Sequence, residues 1–451
     1  MEKNPEEKDT KTTSEPSEKE SKEKTEESQS PPQQEQQEDV QIPSDQLLQY
    51  RKDTSLRHRG EIKSEYKFWS EQPVPQFNKD IGVSFGPITK DNKVEEERQE
   101  PYSLPEGFEW LDVDVTKENE LNRLYEFLKN NYVEDDDHMF RFDYCQEFLK
   151  WHLTAPGYHK EWLISVVRED KKKNKKKMVG FISGIPVKVQ IHGTIMEMAE
   201  INFLCVNQNF RSHRLAPVLI KEVTRRIHLR NIWQAVYTSG TMLPKPFAQC
   251  TYYHRSLNIK KLLDIRFTYL SPNLNLARAK GIYKLQKEPT VNSIRPMEEK
   301  DVEEVTKMLE EHESKFKVRG FYSVEEVKHW FLPKKNVVYS FVRENNGKIT
   351  DFISFYSLPS SILQHESYKK LFACYSFFNI NKSMSYKELM RNALILAKNN
   401  NFDVYNCLDI MENKTVFKDL LFGMGDGKLK YYFYNFVCPD TLPEELSLVL
   451  M

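Results

Sequence analysis

At one point in the 451-residue chain an apolar run, EINFLCV (200–206), leads into the basic stretch Arg211, Ser212, His213 and Arg214 and then into a helical pattern. Leu219, Val223 and Ile227 recur at i, i+4 and i+8, the stripe of a half-buried helix. Pro217 falls in its first turn, where a missing N–H costs nothing. Free N–H groups at a helix start attract anions; two arginines add charge-assisted donors and Ser212 a hydroxyl. These types at this spacing suit a pyrophosphate. Elsewhere the chemistry-bearing residues are sparser. Glu134, Asp135, Asp136 and Asp137 form an acidic run, which on its own reads as a solvated turn. The six cysteines are scattered and never in CxxC pairs, which argues against a metal site and suits a reducing compartment.

The elements that must position the basic turn occur twice. WLDVDVTKENELNRLYEFLKNNY (110–132) and SIRPMEEKDVEEVTKMLEEHE (293–313) each read as strand, capped turn and helix. EFLKWHLTAPG (147–157) pairs with EEVKHWFLPKK (325–335), and ISVVRED (164–170) with YSFVREN (339–345). A polar turn and the triplet FIS follow both, at 181–183 and 352–354. AEINFLCV (199–206) matches FACYSFFNI (372–380); each precedes a helix and another apolar strand, WQAVYTSG (233–240) or FDVYNCLDI (402–410). HRSLNIKKLLDI (254–265) and ENKTVFKDLLFG (412–423) close the two halves. Self-similarity in fixed order signals repeated units. The expected fold is therefore α/β (α+β): two pseudo-symmetric halves around a mixed, largely antiparallel twisted sheet. This order resembles a duplicated GNAT-like acyltransferase fold, whose members bind acyl-CoA. The second half has NKSMSYKELMRNA where the first has its basic turn, so one acyl-CoA per chain is expected.

Longer motifs sharpen the resemblance. They are EINFLCV (200–206), RSHRLAPVLIKEVTRR (211–226), YKFWSEQPVP (66–75), YVEDDDHMFRFDY (132–144), LPKP (243–246), YHRSLN (253–258), DFISFYSLPS (351–360), YSFFN (375–379), DIMENK (409–414) and GMGDGKLKYYFYN (423–435). Over residues 60–451 the chain resembles the glycylpeptide N-myristoyltransferases. That resemblance implies transfer of a myristoyl group from myristoyl-CoA, with no metal, to the N-terminal glycine amine of proteins that begin M-G-x-x-x-[ST].

The resemblance also assigns roles. Backbone amides of Phe203 and Leu204 would stabilise the oxyanion, freed from the ladder by a bulge. The α-carboxylate of Met451 would be the base; the apolar run LSLVLM before it suits a buried end. Lys67, Phe68, Trp69, Phe203, Leu204, Cys205, Val206, Arg211, Ser212, His213, Arg214, Leu215 and Ala216 would hold the acyl-CoA. His213 stands where the family usually has lysine. Asn202 and Thr238 would accept hydrogen bonds from the amine, and Asp135 and Asp137 would meet basic residues of the peptide. Phe140, Phe142, Tyr252, His254 and Ser376 would line its groove.

Composition frames these expectations. Lys+Arg is 66 against Asp+Glu at 67, which gives no charge excess for DNA. No run of eighteen apolar residues reads as a membrane segment, and no apolar core after Met1 reads as a signal peptide. A cytosolic monomer is expected. Residues 1–40 carry 13 acids and 6 lysines, net −7, with no apolar residue between Met1 and Val40. Such a segment cannot offset its ordering entropy. The expected division is a disordered tail (1–50), an acyl-CoA-binding half (51–287) and a peptide-binding half (288–451). The tail reads either as a solvating segment or as a tether to a larger assembly such as the ribosome. KKKNKKK (171–177) reads as a hairpin loop rather than a nucleic-acid patch. Two other functions fit the same fold: a short-chain N-acyltransferase and an inactive acyl-CoA- or peptide-binding module.

Overall fold

Continuous runs of buried residues at 163–167 and 178–185 make the first long hairpin, and an alternating 338–342 with a fully buried 351–357 makes the second. The computed structural model describes residues 47–50, 66–77, 82–135, 137–170 and 175–451. The tail reading, apart from residues 47–50, lies outside the described residues, as do Asp136 and residues 171–174 of the lysine loop.

The first half runs β1 (Phe108–Asp112), α1 (Glu118–Asn131), α2 (Gln146–Leu153), β2 (Leu163–Asp170), β3 (Lys175–Ile191), β4 (Thr194–Val206), α3 (Leu215–His228), β5 (Ala235–Ser239) and β6 (Ala248–Ser256). The second repeats it: β7 (Ile294–Pro296), α4 (Val302–Glu313), α5 (Val324–Phe331), β8 (Val338–Asn345), β9 (Lys348–Ser357), β10 (Ala373–Asn381), α6 (Tyr386–Asn399), β11 (Val404–Leu408) and β12 (Gly423–Tyr434). Local chemistry sets these elements. α1 buries Leu121, Leu124 and Leu128, at i, i+3 and i+7. α5 opens on a capping box, in which Ser323 Oγ accepts the Glu326 N–H at 3.2 Å and Glu326 accepts the Ser323 N–H at 2.7 Å.

All twelve strands lie in one sheet, ordered β1-β2-β3-β4-β5-β12-β6-β11-β10-β9-β8-β7. From either edge inward the pattern is the same. Four strands are antiparallel, a fifth pairs parallel to the fourth (β4–β5, β10–β11), and the sixth is antiparallel. The sixth strand of each run comes from the other half of the chain: β12 pairs with β5, and β6 with β11. The two halves thus exchange their last strands, which pair with each other at the centre. The largest apolar core draws on both halves.

One repeat pairing differs from the sequence reading. HRSLNIKKLLDI contains the end of β6 and a helix after it (Ile259–Asp264), whereas ENKTVFKDLLFG precedes β12. The strands β6 and β12 are the true equivalents. Pro244 and Pro246 keep the approach to β6 from forming the helical turn that precedes β12.

The last residues thread back into this core. Leu446 and Ser447 pair in parallel with Val318 and Arg319, whose strand borders β3. Buried Ser447 donates to buried Glu313 of α4. Glu313 Oε1 lies 2.8 Å from His312 Nδ1, and His312 Nε2 is 3.2 Å from Glu412. Burial alone would lower the His312 pKa, but hydrogen bonds to Glu313 and Glu412 hold it above the ordinary value. Against the upward push of burial, His312 and Lys315 hold Glu412 at about 2. A histidine whose folded pKa is raised adds stability that is fully present below the unfolded value of 6.5 and lost as pH rises through the folded one. His312→Asn is therefore expected to lower Tm by about 2–4 °C at pH 6. The deficit should narrow steadily in melts toward pH 9; a constant deficit would show that His312 acts through packing alone.

Candidate active site

The parallel pairing of β4 with β5 ends at Glu200↔Val236; beyond it no ladder joins them. On the other side β4 carries a bulge. Ser183 faces Asn202 and Phe181 faces Cys205, so Phe203 and Leu204 together oppose Ile182. Phe203 sits at φ +54°, a left-handed conformation rare for a large side chain. Its ring is buried against Tyr132, Tyr144 and His152, which holds that conformation in place. The Phe203 N–H donates to Asn202 Oδ1 at 2.8 Å, and neither Phe203 nor Leu204 has a register partner of its own in β3.

The same bulge recurs in the second half, where Phe377 and Phe378 oppose Ser354. There it is closed. Ser354 Oγ accepts the Phe378 N–H at 2.9 Å and donates to the Phe378 carbonyl at 2.8 Å, and both rings are buried. Ile182, at the matching position of β3, has no hydroxyl to do this. That difference, like the missing basic turn, sets the second half apart from the first.

A cavity of about 710 Å³ opens along the diverging side of β4. Trp69, Asp135, Asp137, Phe140, Phe142, Asn202, Phe203, Leu204, Thr238, Tyr252, His254 and Met451 line it, all expected from sequence. Met451 abuts the bulge, and its terminal oxygen accepts a hydrogen bond from Asn202 Nδ2. Asn202 Oδ1 lies 3.4 Å from the Tyr132 hydroxyl. Trp69 stacks on Tyr237 of β5 at 5.8 Å, so the lead-in segment roofs the cleft. Asp135 Oδ1 accepts the Met139 and Phe140 N–H groups, both at 2.7 Å, and so folds the acidic turn at the cavity wall. His254 is held by Asn406 at 2.7 Å, and burial pushes its pKa down to about 4. Gly425 crosses this ring so closely that a Cβ would lie 2.2 Å from Nε2, so the position requires glycine.

Lys67, Phe68, Cys205, Val206, Ser376 and residues 211–216 do not line the cavity. Ser376 Oγ accepts the Asn379 amide at 2.9 Å. Residues 211–214 are exposed in a 3-10 turn ahead of α3, and Arg214 takes φ +54° as the N-cap. Arg211 donates to the Asn131 carbonyl at 3.2 Å and is exposed beside the turn. Leu215 is core, so only its N–H can face a ligand. The basic side chains of this turn and the first N–H groups of α3 have the chemistry to hold an anion.

Sequence reasoning missed Tyr132, Tyr237 and Tyr375, and also buried Glu200 and His152, 3.8 Å apart behind the bulge. Burial pushes Glu200 up to about 8 and His152 down to about 3, so both are uncharged near neutrality. No formal charge behind the bulge then opposes negative charge growing at its amides. The signal for Glu200 was a charged residue inside an apolar strand. Among the described residues no cluster of side chains could hold a metal ion, and no helix is long and apolar enough to cross a membrane.

Comparison with known proteins agrees with this geometry. Residues 87–250 match the N-terminal domain, and residues 264–447 the C-terminal domain, of the family described as myristoyl-CoA:protein N-myristoyltransferase. A glycylpeptide N-tetradecanoyltransferase of Plasmodium falciparum is 47% identical over 407 residues, covering 90% of this chain and 97% of the relative. Glycylpeptide N-tetradecanoyltransferase 2 of Danio rerio is 49% identical over 389 residues, covering 86% and 78%. The crystal structure of Saccharomyces cerevisiae N-myristoyltransferase with bound myristoyl-CoA superimposes with a TM-score of 0.81 at 35% identity, over 86% of this chain and 100% of that one.

Proposed function

The chain belongs to the myristoyl-CoA:protein N-myristoyltransferase family, and we infer from that membership and from the cavity how its residues divide the work. The enzyme transfers a myristoyl group from myristoyl-CoA to the N-terminal glycine amine of proteins. The observation that carries the mechanism is the bulge of β4, set between an apolar cleft beside α3 and a polar mouth that carries Asp135 and Asp137.

The turn at 211–214 and the first N–H groups of α3 hold the CoA phosphates. The acyl chain lies in the cleft between α3 and β5, and its carbonyl reaches the bulge. Leu204 N–H receives the oxyanion. When the glycine ammonium enters, Asn202 Oδ1 turns to it and releases the Phe203 N–H as a second donor. The Met451 carboxylate, anchored by Asn202 Nδ2, takes one proton from the ammonium. Nitrogen then attacks the thioester carbon, the C–S bond breaks, and the amine's second proton neutralises the departing thiolate. Thr238 orients the amine; Asp135 and Asp137 attract basic residues further along the peptide; Phe140, Phe142, Tyr252 and His254 wall its groove. The first half thus supplies the acyl-CoA contacts and the named peptide contacts, the second supplies the base, and each half borrows a strand of the other. A cytosolic location is supported by six free cysteines, and a ribosome-tethering role for residues 1–50 by their composition.

Calorimetry and turnover test this reading together. Burying the chain at about 0.8 kcal/mol per methylene should make myristoyl-CoA bind about a thousandfold or more tighter than acetyl-CoA. A Gly-initiated peptide should be acylated and an Ala-initiated one left unmodified. Equal affinities would favour a short-chain acyltransferase, and tight binding without turnover an inactive binding module.

A further inference from the structure

α3 lines the cavity with Ile220, Val223, Thr224, Ile227 and His228. These positions, i, i+3, i+4, i+7 and i+8, make one face about 12 Å long at 1.5 Å per residue. Ile220 is the end nearer the turn at 211–214; the far end is the last residue of α3, His228. His228 is the first polar ring on that face, and Ile232, Trp233 and Gln234 line the cavity beside it. His228 Nδ1 lies 2.8 Å from Glu97 Oε2, and its ring sits 4.3 Å from the Trp233 ring. Beside it, Gln234 donates to Asp91 at 3.0 Å.

Glu97 and Asp91 belong to a segment fastened to the outer side of α3. Arg225 donates to the Gln99 carbonyl at 2.9 Å, and Glu222 accepts the Tyr102 N–H at 3.1 Å. The side chains of His228 and Glu97 are 18% and 16% exposed, so the pair is mostly buried at this end of the face.

A uniformly apolar, open channel would not favour a chain of fixed length. Each further methylene would tighten binding about fourfold, so palmitoyl-CoA would bind about fifteenfold better than myristoyl-CoA. Selection needs a feature that opposes the longer chain. We propose that the His228–Glu97 pair, braced by Trp233, is the end stop of the acyl channel and sets the longest acyl chain that the enzyme accepts. A longer chain must part a hydrogen-bonded, mostly buried pair and leave a carboxylate against hydrocarbon. The proposal rests on the reading that the acyl chain lies beside α3.

The test is the ratio of kcat/KM for palmitoyl-CoA to that for myristoyl-CoA, measured with the full chain and one Gly-initiated peptide. His228→Ala is expected to raise the ratio about tenfold, because the stop is removed and the burial gain of the longer chain is restored. Glu97→Ala, which spares the core, should raise it several-fold by freeing His228 to swing outward. His228→Gln, which keeps a donor of similar reach, should hold the ratio within about twofold of the parent. A ratio unchanged in both alanine variants overturns the end stop. Ile220→Trp separates this from failure of the underlying reading. It fills mid-channel and should weaken myristoyl-CoA binding; if binding is unaffected, the acyl chain does not lie beside α3 at all.

Discussion

Adding two or three glycines after Met451, or deleting Val449–Met451, is expected to lower kcat about a hundredfold or more, on the scale of a lost general base. Residues 446–450 are at most 8% exposed, so the terminal carboxylate arrives at the bulge on a fixed path with no slack. An extension cannot be accommodated without displacing that carboxylate or sealing the cavity with peptide. An α-ammonium has a pKa of about 7.7–8.0, so a base is needed near neutrality and not at pH 9. The deficit should therefore shrink as pH rises through that range. Met451→Leu should turn over at the parent rate, because the reacting group is main chain. Myristoyl-CoA affinity should survive in both altered chains, since the phosphate turn lies on another element. An extended chain that works at the parent rate at pH 7 would sink the carboxylate mechanism. A pH-independent loss would assign the end to positioning.

Asn202→Ala should cost about ten- to a hundredfold in kcat through lost orientation of the reacting groups. A single amide here serves two partners: Oδ1 takes the Phe203 N–H at 2.8 Å, and Nδ2 holds the Met451 oxygen. Removal leaves both oxyanion donors in place but frees the carboxylate to wander and strips one acceptor from the ammonium. The loss should thus appear in kcat with little change in the affinity for myristoyl-CoA. Asn202→Asp keeps the acceptor, loses the donor and sets a negative charge against the terminal carboxylate, so it should be at least as damaging. A variant that binds acyl-CoA normally and retains full kcat would show that the amide has no part in the reaction.

Much of this was legible in the chain because the signals are local. The basic turn, Pro217 and the 219-223-227 stripe are contained in seventeen residues, and the structure places that stripe in the core. The repeat was legible for the same reason, since each β-hairpin and capped helix carries its own pattern. Pairing across the sheet was not. β6 and β12 are both amphipathic strands, and nothing in either says that it will cross to the opposite half. The misaligned closing segments are the direct consequence. The far end of the acyl cleft was hidden differently. Ile220, Thr224 and His228 sit one position beyond the core stripe, and two of them are polar, so periodicity assigns them to the helix flank. Ser354 against Ile182 carries the contrast between a closed and an open bulge, and it cannot be read before the register is known.

The exchanged strands also constrain the order in which the protein can be made. During synthesis β5 emerges with its outer edge unsatisfied, and its partner β12 is about two hundred residues away. At 5–20 residues per second that interval is about 10–40 s. The first half therefore waits, with an open sheet edge and a shared core half filled, until nearly all of the polypeptide has been translated. Open edges invite pairing with other chains. A nascent-chain chaperone that covers β5, or early provisional pairing of β5 with β6, would fill the interval. Cutting the gene between the halves should yield two pieces that fold only on meeting, each completing the other's sheet.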